Sequence, residues 1–144
     1  MKRGTSKYMK PIKFYSRLQS EGKGVFTEQK AKTWLKEHHL AFEEVSIQHL
    51  TRDDIIHLLQ LSEDGFESII SKRSSLYKNF IQDGVLSPSM TLTDYIELVL
   101  KYPALIRTPI IMDDKKLQVG FNEDSMRKFI PRPYRKVYRN FSVR

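Results

Sequence analysis

Cysteine is absent from all 144 residues. Its absence excludes disulfides, thiolate metal sites and thiol nucleophiles, and it suits a reducing compartment. No apolar stretch reaches the length of a spanning or export segment, so the chain reads as cytoplasmic and without membrane contact. Metal-ligand spacing is also lacking. His38, His39, His49 and His57 form no pattern with Asp or Glu, which predicts no metal site. Gly22-Lys23-Gly24 has neither the full spacing of a phosphate-binding loop nor its Ser or Thr, and no cofactor is expected. Acids stop at Asp124, and every charge after it is positive.

What is present is a chain of one-domain length with 40% hydrophobic residues, enough for a single core. Its 25 Lys and Arg against 17 Asp and Glu leave a net charge of +8, which favours an acidic partner, either nucleic acid or an acidic protein surface. The end of the chain concentrates that charge. Arg132, Arg135, Lys136, Arg139 and Arg144 alternate with Tyr134, Tyr138 and Phe141, and Pro131 and Pro133 oppose a continuous helix. A solvated basic tail and non-specific contact with nucleic acid both fit.

Hydrophobic patterning predicts an alternating α/β order. A strand over residues 10–15 is joined by residues 16–25 to a helix capped by Thr27, with Ala31, Trp34 and Leu35 on one face. A second strand over residues 42–47 turns Phe, Val and Ile inward and its glutamates outward. The first two strands are expected to be parallel neighbours, because a helix joins them. Thr51 caps a helix over residues 53–61 carrying Ile55, Ile56, Leu58 and Leu59. Short helices follow Asp64-Gly65 and cover residues 76–81. Thr91 or Thr93 caps another that ends before Pro103. Pro109-Ile110-Ile111, the turn at Asp113-Asp114, then Leu117-Gln118-Val119 and Asn122 ahead of Glu123 describe two strands and a capped helix. A mixed four-stranded sheet with helices inserted between its halves accounts for this order.

Several blocks carry a resemblance: Glu63-Asp64-Gly65, Ile69-Ile70-Ser71-Lys72-Arg73-Ser74, and residues 103–124 from Pro103 through Arg107 and Pro109 to Asn122-Glu123-Asp124. They resemble the Spx-type transcriptional regulators of the arsenate reductase superfamily, over about residues 12–131. The resemblance implies a thioredoxin-like fold with a helical insert over about residues 51–103. The domain would cover residues 10–131, between a basic extension of residues 1–9 and a basic tail of residues 132–144. It also implies a cis peptide bond at Pro109, a non-enzymatic role, and binding to the C-terminal domain of the RNA polymerase α subunit, with promoter DNA as a second contact through the tail.

Site residues follow from the same resemblance. Gly65 matches a glycine that lies against the α-subunit domain, with Asp64 beside it, and Arg73 matches an arginine near that surface. Taken without the family, Gly65 is better explained by a turn between helices, the commoner use of glycine, and Arg73 and Arg107 fit surface ion pairs. Arg107 and Pro109 match positions that define the fold. The family's C-x-x-C switch falls on Val25 and Glu28, and its second arginine, before the proline, falls on Thr108. The resemblance therefore implies regulation without a thiol switch. A reductase-related oxidoreductase, which would need the missing thiolate, and a competitor that binds polymerase without activating it remain as alternatives.

Overall fold

The computed structural model describes residues 11–17 and 24–131, with the side chains of residues 24–25 excepted. The basic extension at residues 1–9, the tail at residues 132–144 and most of the segment before the first helix, including Gly22 and Lys23, lie outside the described residues. The order is β1 (Ile12–Ser16), α1 (Gly24–Glu37), β2 (Phe42–Ser46), α2 (Arg52–Leu61), α3 (Phe66–Ile69), α4 (Ser75–Gln82), α5 (Leu92–Lys101), β3 (Ile110–Met112), β4 (Leu117–Val119) and α6 (Glu123–Met126). Short 3-10 turns cover Ile47–His49, Pro103–Leu105 and Arg127–Phe129.

The sheet runs β2-β1-β3-β4, with β1 parallel to β2 and β3 antiparallel to both β1 and β4. This is the expected mixed sheet, and four helices stand between β2 and β3. Both faces are covered, because alternate strand residues point to opposite sides. Ile12, Phe14 and Ile111 pack under α1 with Ala31, Trp34 and Leu35, and with Met126, Phe129 and Ile130 from the chain end. Tyr15, Ile110 and Met112 pack on the other side against Ile55 and Leu58 of α2 and Ile96 and Val99 of α5.

Capping explains why several helices start where they do. Thr51 and Asp54 form a reciprocal capping box on α2, Thr91 and Asp94 form one on α5, and Asn122 Oδ1 accepts from the Ser125 amide on α6. Thr91, not Thr93, is the cap. In the hairpin, Asp113 Oδ1 accepts from the amides of Lys115 at 2.8 Å and Lys116 at 2.7 Å, so one of the two aspartates holds the turn.

Three local expectations need correction. Helix α1 begins at Gly24, so Thr27 lies inside it rather than capping it. Glu28 shares the stripe of Ala31 and Leu35, at i, i+3 and i+7, and is only 5% exposed. In β2, Phe42 and Glu44 share a face while Val45 faces the other way, as a period of two requires. Glu44 is therefore half-buried toward α1, where Lys32 Nζ lies 3.1 Å from its carboxylate and Ser16 Oγ donates to it at 2.8 Å. Ile56 turns out of the α2 stripe and is exposed.

Candidate functional site

Gly65 precedes α3 with φ 62° and ψ −139°, a backbone region that is open essentially to glycine alone. Its carbonyl accepts from Ser62 Oγ at 3.1 Å and from Ser68 Oγ at 3.2 Å, and the two hydroxyls lie 3.0 Å apart. A Cβ built at residue 65 would meet no heavy atom within 4 Å. The turn is thus held firmly from beneath and open above. Asp64 beside it is exposed.

Helix α3 is stitched to the segment that leads into β3. The Ser71 amide donates to the Leu105 carbonyl at 2.7 Å and the Arg107 amide to the Ile69 carbonyl at 2.8 Å, and Ile70 bridges Ile106. Arg107 adds its side chain, donating from Nη1 to the Ser68 carbonyl at 3.2 Å. Its Nη2 would lie 3.2 Å from a Cβ at Gly120, whose φ of 80° favours glycine there. Arg107 therefore works as a strap from the segment before β3 to α3, not as a surface ion pair. Arg73, by contrast, is exposed and makes no hydrogen bond or ion pair with another of the described residues.

From Phe66 an open groove of about 250 Å³ runs along the inserted helices past Tyr77, Ile81 and Tyr95. Phe66 stacks on Tyr95 with ring centroids 4.8 Å apart, and an ion pair of Glu67 with Lys72 sits at its rim. Exposed Ile81 adds apolar surface there. Gly65 and Asp64 directly precede Phe66, the first of the groove's lining residues in the chain.

The peptide bond between Thr108, one of the positions corresponding to the switch, and Pro109 is cis. The Glu28 carboxylate accepts from the Arg17 amide at 3.3 Å, and Arg17 Nη2 donates to the Ile106 carbonyl at 3.1 Å, one residue before Arg107. Thr108 is half-buried. The side chain of Val25 lies outside the described residues. Among the described residues no group of three or more His, Asp and Glu side chains could hold a metal ion, and no helix is long and apolar enough to cross a membrane.

Sequence reasoning did not single out Arg17, Ser62, Ser68 or Gly120. The serines on either side of Glu63-Asp64-Gly65 are a local signal that could have marked the turn. Arg17 had no such signal, since its partner lies 89 residues away.

Comparison with known proteins agrees with the geometry. The ArsC family model matches residues 5–129. The chain is 45% identical over 109 residues to the global transcriptional regulator Spx of Staphylococcus epidermidis, covering 74% of this chain and 81% of that protein. It is 43% identical over 110 residues to the Spx protein of Streptococcus pneumoniae, covering 75% and 80%. The fold matches the crystal structure of an ArsC-family-related protein from Bacteroides fragilis with a TM-score of 0.67 at 23% identity, over 81% of this chain and 95% of that one.

Proposed function

The chain belongs to the ArsC family as a cysteine-free relative of its Spx-type members, and on that premise we propose that it is a transcription regulator that docks on the C-terminal domain of the RNA polymerase α subunit. The observation that carries this reading is the Gly65 turn, rigid below and with open space where a side chain would project. Two surfaces approach closely where one lacks a side chain, and Asp64 and Arg73 flank the contact with exposed charges of opposite sign. Arg107 and Pro109 keep that surface in place from within the domain of residues 10–131 and its helical insert.

Regulation in this reading is independent of thiols. Val25, Glu28 and Thr108 replace the groups a redox switch would need, and the Glu28 carboxylate and Arg17 make fixed hydrogen bonds in that place. The protein acts in the cytoplasm without catalysis of its own, and the basic tail of residues 132–144 adds salt-dependent contact with promoter DNA.

The test is retention of the purified α C-terminal domain by wild type, Gly65→Ala and Gly65→Arg proteins. Retention by wild type and Gly65→Ala with loss in Gly65→Arg supports docking through this turn. Equal retention by all three, or none by wild type, removes it. Transcription with purified polymerase then separates activation from simple competition.

A further inference from the structure

A second cavity, remote in composition from the Gly65 surface, has a lining that points to an anion. It encloses about 390 Å³ between the end of β1, the 3-10 turn after β2, the start of α4 and the end of α5. That location is at the carboxyl ends of the parallel pair β1 and β2, since Arg17 follows Ser16 and Ile47 follows Ser46. Open α/β sheets bind their ligands outside the carboxyl ends of parallel strands, and the volume is that of a small-molecule site.

The chemistry of the walls narrows the ligand. Arg17 and Lys101 both line the cavity, with no carboxylate among its described lining residues. Among the described residues neither cation makes an ion pair: Arg17 spends one N–H on the Ile106 carbonyl, and Lys101 Nζ lies 5.6 Å from the Tyr102 ring centroid. Arginine keeps four further donors. Two like charges lining one concave space repel each other, and a multiply charged anion relieves that repulsion while accepting their hydrogen bonds. Ile47, Leu76 and Tyr102 supply apolar walls, and the Gln48 amide can both donate and accept. We propose that this cavity binds a nucleotide-sized organic phosphate, with the phosphate between Arg17 and Lys101 and the base against Ile47, Leu76 and Tyr102. The site stands apart from docking through Gly65, and either can fail without the other.

The experiment is calorimetric titration of the full-length protein with ATP, AMP and inorganic phosphate. Saturable one-site binding of ATP is expected, weakened about tenfold by Arg17→Gln and by Lys101→Gln, since each removes one charge-assisted contact. Lys101 is exposed and, among the described residues, its charged end meets only its neighbour's ring, so Lys101→Gln leaves the fold intact and decides the matter even if Arg17→Gln loosens the chain. Absence of saturation, or ATP binding unchanged in Lys101→Gln, overturns the proposal. Loss of binding only in the tail variant Arg135→Gln with Arg139→Gln overturns it as well, by moving the site to the tail. Inorganic phosphate binding as tightly as ATP would show that the apolar walls contribute nothing and would overturn the organic ligand.

Discussion

Arg107 donates from Nη1 to the Ser68 carbonyl, 3.2 Å away, and so ties the segment before the cis proline to the short helix that Gly65 opens. Helix α3 has only four residues, too few to hold itself together. Beyond the backbone bonds of Ser71 and Ile69 to the segment before β3, the Arg107 side chain and the Ser62 and Ser68 hydroxyls hold it in position. Arg107→Ala is expected to cost about 1 kcal/mol in urea unfolding, the net worth of a hydrogen bond from a partly exposed charge. The amide of Ile70, which donates to the Phe66 carbonyl, should exchange faster by about fivefold, as local stability falls by a similar amount. Unchanged exchange there would show that α3 does not need the strap.

At Gly65 the two uses of a glycine can be measured separately. Any L-residue meets the same backbone strain at φ 62° and ψ −139°, about 1–3 kcal/mol, so Gly65→Ala and Gly65→Arg should lose similar stability in thermal unfolding. A Cβ meets nothing within 4 Å, so no clash inside the domain adds to that cost. Binding to the α-subunit domain should then part them, with Gly65→Arg weaker than Gly65→Ala by tenfold or more. Equal binding by the two variants would leave Gly65 as a turn residue alone.

The parts of this structure that rest on neighbours in sequence were legible in advance. Thr51 with Asp54, Thr91 with Asp94, and Asn122 with Ser125 are contacts within one helical turn, and residue type and spacing reveal them. Thr27 misled because a good capping residue also tolerates a helix interior, and nothing nearby signals that α1 starts at Gly24. The burial of Glu28 follows from its i, i+3 and i+7 spacing to Ala31 and Leu35. Glu44 could have been placed by a strict period of two from Phe42, which puts both under α1. Arg107 looked like a surface charge because its partner is a backbone carbonyl 39 residues earlier, which residue identity cannot disclose.

Tyr15 gives a pH dependence with a definite sign. Its hydroxyl is buried without a hydrogen-bond partner in good geometry, and burial, reinforced by the Asp54 carboxylate, pushes its pKa well above the usual value near 10. The folded state therefore keeps the proton where the unfolded chain releases it. Stability from this group is intact below about pH 10 and falls as pH rises beyond that. Tyr15→Phe should flatten the decline between pH 9 and 11 in urea unfolding. At neutral pH it should be neutral or slightly stabilising, because it removes an unpaired hydroxyl. A marked loss at pH 7 would mean that the hydroxyl has a partner.

Glu28 is where a thiol would stand in the switch that the family carries, and the structure gives the carboxylate a purely structural contact with the Arg17 amide. Glu28→Gln keeps an oxygen acceptor of the same reach and should change stability by less than about 1 kcal/mol. Glu28→Ala strands the Arg17 amide and opens space beside Ala31 and Leu35, and should cost about 1–3 kcal/mol. In neither variant should a thiol-specific oxidant alter binding to the α-subunit domain. The sulfur in this chain is confined to five methionines, which such an oxidant leaves untouched, whereas peroxide converts methionine to its sulfoxide. Met112 and Met126 are buried in the two halves of the core, so peroxide should reach these two slowly and through unfolding. A rapid response of binding to the thiol oxidant, measured by pull-down with and without it, would defeat the claim of redox independence.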